Sequence, residues 1–249
     1  MLGNLTLRTR LIVTGCLLTA IPLLIISIVV YVQNNAMRAT ANSLSTQLAL
    51  ADIDNIAKGI YGLVASHQEV NEKNIRNSLN VAHDILTGMG GISFQSATVN
   101  WNAVNQFTKN EIRVNLPKMM VGNTWFGQEK DAGAAVPVVD RVRNLMDVTC
   151  TVFQRMNEQG DMLRVATNVI QKDGSRAIGT YIPAAGDDGK PNAVISAVLK
   201  GETFNGRAFV VDKWYIAAYK PLYDRAKRIA GVLYVGIPQE SVQSLRKVI

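Results

Sequence analysis

From Leu11 to Val32 the chain reads LIVTGCLLTAIPLLIISIVVYV, an uninterrupted apolar stretch without a charge. As a helix it would measure roughly 33 Å, enough for a hydrocarbon core of ~30 Å. Pro22 would break a soluble helix but is tolerated in a lipid-embedded one. From Asn34 to Thr87 the apolar positions fall at steps of three and four: Leu44, Leu48, Ala51, Ile56, Ile60, Leu63, His67 and Val70, then Ile75, Leu79, Ala82 and Leu86. That spacing predicts one or two long helices with a single stripe, which serves either as the core face of a helix on a sheet or as a dimer seam. Gly88-Met89-Gly90-Gly91 ends the pattern, because glycine enters the left-handed region at little cost.

Past the glycines the period shortens. Ile92–Trp101 alternates as a strand, and Asn110–Met119 reads as a second strand ended by Pro117. Val138–Gln159 returns to helical spacing. Strands follow at Met162–Gln171 and Arg176–Ile182, then a Pro183–Pro191 loop containing Asp187-Asp188-Gly189 and a short helix at Ala193–Lys200. The last strands are Ala208–Asp212, Trp214–Leu222 and Gly231–Ile237. Asp-Gly turns between strands favour hairpins. Helices first and antiparallel strands last make an α+β domain with its helices on one sheet face.

Charge orients this arrangement. Arg8 and Arg10 precede the apolar run and the next cation is Arg38, so the positive-inside bias places the N-terminus in the cytoplasm and translocates the remainder. A cleaved signal peptide is the alternative, with Ala39-Thr40-Ala41 as its site. The run is longer than a signal's apolar region, which favours an uncleaved anchor. The net charge of +7 is concentrated at the two ends of the chain. Without a basic stripe interleaved with aromatics, nucleic acid is not an expected partner. Cys16 lies inside the apolar run and Cys150 in the exported part, so no disulfide is expected. His67 and His83 have no ligand-spaced partners, and neither a metal nor another cofactor is expected. The absence of a Ser/His/Asp arrangement or paired carboxylates argues against an enzyme.

Four blocks in order, GDMLRVATNV, GSRAIGTYIP, GRAFVVDKWYIAAYKPL and GVLYVGIPQESVQSLR, resemble the Cache sensor domains of bacterial transmembrane receptors. The resemblance is greatest to the type 3/type 2 Cache fusion of methyl-accepting chemotaxis proteins, and it runs from about Ala36 to the end. It implies an extracytoplasmic PAS-like fold in the bacterial inner membrane, with a long helix packed on a five- or six-stranded antiparallel sheet that cups a small ligand. The expected division is 1–10 as cytoplasmic N-terminus, 11–32 as transmembrane helix, 33–91 as long helical region, 92–240 as Cache domain and 241–249 as the start of a linker. The sequence reads as the front part of a receptor. A homodimer through the long helix is expected. The output is either chemotaxis signalling or, by module exchange, a histidine kinase or cyclic-di-nucleotide enzyme.

The candidate site centres on the strand Trp214–Leu222. Side chains alternate along it, so Tyr215, Ala217 and Tyr219 face one way, and Trp214, Ile216, Ala218 and Lys220 the other. Tyrosines give an apolar wall with a hydroxyl tip, and alanines leave volume. The Tyr215/Tyr219 face is the first choice for the pocket, and Trp214 with Lys220 is the reverse. Guanidinium forks suit a carboxylate. Arg164, before Thr167, and Arg176, opposite Tyr181, are the forks at hand, and the family pattern implies a ligand-gripping role for Arg176. That pattern also has a basic pair where this chain has only Lys220. Dicarboxylates and tricarboxylates are therefore disfavoured, and the expected ligand is an organic acid such as a monocarboxylate or an amino acid, with a neutral ring as the alternative.

Overall fold

In the computed structural model, residues 6–186 and 188–244 are described; Asp187 and the end of the expected linker lie outside them. The chain divides into two compact units, Met1–Ser66 and His67–Ile249. The first is helical from Leu7 onward and belongs to α1 (Leu7–Gly88). It carries the run long and apolar enough to cross a membrane, with none of that run buried inside the protein.

The second unit is built on one eight-stranded sheet. Its strands are β1 (Ile92–Asn105), β2 (Glu111–Val121), β3 (Thr149–Arg155), β4 (Met162–Thr167), β5 (Thr180–Ile182), β6 (Phe204–Val210), β7 (Lys213–Tyr223) and β8 (Ile229–Pro238). They lie in the order β2-β1-β5-β4-β3-β8-β7-β6. Neighbours are antiparallel except β1 and β5, which run parallel through Val104↔Thr180 and Asn105↔Tyr181. The sheet is thus larger than expected, because the β1–β2 hairpin is joined to it through the short β5.

One face packs on helices. Ile75, Leu79, Ala82 and Leu86 of α1 meet Val138, Val139 and Val142 of α2 (Pro137–Met146), together with Val152, Ala166, Ala218, Leu222, Leu233 and Val235 of the sheet. Each buried Ile or Leu contributes about 1.5–3 kcal/mol. The stripe read from the sequence therefore splits. Ile75 and Leu79 are 1% and 2% exposed, whereas Leu44, Leu48, Ile56, Ile60, Leu63 and Val70 lie open to solvent. The opposite face carries Phe153, Met162, Ile182, Tyr215, Ala217, Tyr219, Val232 and Tyr234 under Val194, Ile195 and Val198 of α3 (Ala193–Leu199). Asn192 caps α3 by accepting from Val194 and Ile195 N–H groups.

Three local expectations are corrected. The helix expected over Val138–Gln159 stops at Met146, since Asp147 turns left-handed (φ 52°) and returns its N–H to the Arg143 carbonyl. The β-branched run after it forms β3. Pro117 does not end β2, because β2 is an edge strand and Pro117 sits beside a register shift, where a missing N–H breaks no central ladder. The expected strand Arg176–Ile182 shrinks to Thr180–Ile182, leaving Arg176 in a loop with a single bridge to Ile170.

Candidate functional site

Arg164 and Thr167 are three residues apart, so a regular strand would send them to opposite faces. A register shift in the β3–β4 pair changes this: Thr167 pairs with Thr151 and Ala166 with Val152, but Arg164 pairs with Phe153. Val165 is the extra residue. Arg164 is thereby turned onto the face of Thr151, Phe153, Tyr215, Tyr219 and Tyr234.

There it is fully buried. Its guanidinium stands 4.9 Å from the centre of the Phe153 ring, and Nη1 donates to Thr180 Oγ1. Nε and Nη2 are buried and have no partner. Loss of hydration brings its pKa down to about 10, and the groups that oppose this are Tyr219, Tyr234 and Tyr215 rather than a carboxylate. Burying a cation costs several kcal/mol unless a counter-charge and hydrogen bonds offset it. Two forked donors are thus left with no acceptor in the protein.

Three tyrosines surround the guanidinium. Tyr219 and Tyr234 lie 4.8 Å apart with their rings tilted by 48°, and Tyr215 meets Tyr234 edge-on at 6.5 Å. Burial raises the pKa of all three, so their hydroxyls stay neutral and can donate. Thr149 Oγ1 gives its proton to the Gly236 carbonyl at 2.7 Å, so in its 3.0 Å contact with Tyr234 the tyrosine is the donor. Glycine at 236 makes room for this arrangement, since a Cβ there would overlap the Tyr234 hydroxyl and ring.

The remaining candidates separate. Thr167 shares the face, but its hydroxyl is held by Thr151 Oγ1, the Cys150 carbonyl and the Val169 N–H. Tyr181 pairs with Leu163 on the other face, among Trp101, Ala103 and Leu116. Trp214 is 49% exposed, beside Phe209 and with the Arg207 guanidinium 4.6 Å from its ring. Lys220 lies on the helix side, where its charge acts on His83 of α1.

Arg176 is a correction. It is buried, but its donors are spent within the protein. Nε donates to the Asp131 carbonyl, Nη1 to Asp140 Oδ1 and the Thr167 carbonyl, and Nη2 to Asp140 Oδ2 and the Ala132 and Ala134 carbonyls. It ties loop 130–134, α2 and the end of β4 together and has no fork left for a ligand. The sequence reading missed Phe153, Tyr234 and Thr180. Strand alternation along Gly231–Ile237 would have found Tyr234, whereas the other two depend on register.

Among solved structures, the E. coli DcuS sensor domain is 20% identical with a TM-score of 0.31, over 47% of this chain and 76% of that one. The ligand-binding domain of Campylobacter jejuni chemoreceptor Tlp3 in complex with L-norvaline is 24% identical with a TM-score of 0.27, and the match spans 44% of this chain but only 40% of that one. The Tlp3 sensory domain with isoleucine bound is 20% identical with a TM-score of 0.26, over the same shares. No curated protein matches the chain. The model of the Cache 3/Cache 2 fusion domain matches residues 38–249, and the chain belongs to that family.

Proposed function

We propose that this chain is the ligand-sensing region of a transmembrane chemoreceptor, and that it binds a small carboxylate outside the cytoplasm without chemical conversion. The observation that carries the reading is Arg164, fully buried with Nε and Nη2 unpartnered among neutral tyrosines. A carboxylate would accept from both free donors, with the Tyr215 or Tyr219 hydroxyl completing its shell. Arg8 before the apolar run supports a cytoplasmic N-terminus and an exported sensor. The exposed stripe Leu44, Leu48, Ile56, Ile60 and Leu63 supports a homodimer along α1.

A thermal-shift screen of the full chain in lipid nanodiscs tests the binding. Organic acids, amino acids and neutral purines are compared, because a ligand that binds the folded state raises Tm by mass action. The expected hits carry a carboxylate, and Arg164→Met abolishes their shifts. Hits confined to uncharged compounds, or shifts retained in Arg164→Met, would contradict the assignment.

A further inference from the structure

A second buried group on the Arg164 face also lacks its partner. Gln106 follows β1 and is 2% exposed. Its N–H donates to the Tyr181 carbonyl at 3.0 Å, which extends the parallel β1–β5 pairing by one position. Asn105 and Tyr181 face the Trp101 side, so alternation turns Gln106 to the side of Thr180, whose hydroxyl holds Arg164. Its Nε2 donates to the Phe209 carbonyl at 3.2 Å, which fixes the orientation of the amide. The other amide atom, Oε1, is buried without a hydrogen bond.

The position of Gln106 is itself over-determined. Lys109 Nζ donates to the Gln106 carbonyl at 2.7 Å and to the Val211 carbonyl at 3.2 Å. Both Lys109 (φ 65°) and Val211 (φ 60°) adopt the left-handed region, a costly choice for a β-branched valine. The turn after β1 and the turn between β6 and β7 are thus clasped together beside the buried cluster to which Val210 and Val211 belong with Tyr215, Tyr219 and Tyr234. A buried acceptor held this firmly needs a donor.

We propose that Gln106 is the second polar anchor of this site. Its Oε1 accepts a hydrogen bond from an ammonium or hydroxyl group of the ligand while Arg164 holds the carboxylate. The ligand class is then a small amino acid or hydroxy acid rather than a plain carboxylate. This rests on the carboxylate reading of Arg164 and adds the selectivity.

Matched probes separate the two claims. The full chain in nanodiscs is titrated calorimetrically with L-alanine, L-lactate and propionate, and with L-valine, its hydroxy analogue and isovalerate. In each set a donor-bearing member binds about tenfold tighter than the plain acid, the value of one charge-assisted hydrogen bond. Gln106→Met removes that advantage, so that the three members of each set bind alike. Gln106→Glu keeps an acceptor and shifts preference further toward the amino acid. Equal binding of all three members by the wild type overturns the role of Gln106 but spares that of Arg164. So does an equal loss for all three in Gln106→Met. Absence of binding by every probe, or binding that survives Arg164→Met, overturns both.

Discussion

Arg164 and Arg176 show how two arginines that read alike in sequence diverge on folding. Arg176 meets Asp140, 2.9 Å away, and a ring of carbonyls, so it holds the fold together. Arg176→Ala leaves a part-buried carboxylate and several carbonyls unsatisfied, and should cost about 2 kcal/mol of unfolding free energy in chemical denaturation. A variant as stable as the wild type would show that the clamp is dispensable. Arg164 has no such set of partners. Replacing an uncompensated buried cation by an apolar side chain of similar length is neutral or stabilising, by about 1 kcal/mol or more, for the ligand-free protein. Arg164→Met should therefore hold or raise Tm while losing ligand response. A sharp fall in Tm would instead assign Arg164 a structural role. Neither outcome was legible beforehand. Asp140 reaches Arg176 only through the placement of α2, and Arg164 reaches the tyrosines only through the extra residue at Val165.

Among elements, α1 and β7 were the most legible, since a long stripe and strict alternation each persist over many residues. The helix expected over Val138–Gln159 failed where apolar spacing alone could not separate a buried strand from a helix. The packing of α1 on the sheet brings a titratable group with it. His83 is lowered in pKa first by burial and then by the charge of Lys220 on β7, which together outweigh Asp84. The unfolded chain, near the ordinary value of 6.5, then holds the proton more readily than the folded one. Stability is complete above that pH and falls as pH drops through 6.5 toward the lower folded value. In denaturation curves at stepped pH, His83→Leu should flatten this segment. An unchanged slope in the variant would move the effect elsewhere. Leu79→Ala, which empties a buried position of the same helix, should cost about 2–5 kcal/mol; a loss under 1 kcal/mol would contradict the core assignment.

At the scale of the whole molecule, the family blocks carried the fold class, but the sheet exceeded expectation because a three-residue strand, β5, brings in an entire hairpin. Such short pairings leave almost no periodic signal. The exposed half of the α1 stripe predicts that cysteines placed at Leu44 or Leu48 crosslink between copies in membranes; failure along the whole stripe would remove the dimer. A reporter enzyme active only outside the cytoplasm, fused after Arg246, should be active, and cytoplasmic activity would reverse the topology. The central claim is that a buried guanidinium with two unpartnered donors, Nε and Nη2 of Arg164, receives a carboxylate from outside. Its most direct test is a calorimetric titration of the best carboxylate from the thermal-shift screen into the full chain and its Arg164→Met variant. The account predicts saturable binding to the wild type and none to the folded variant, and an unchanged isotherm in the variant would contradict it.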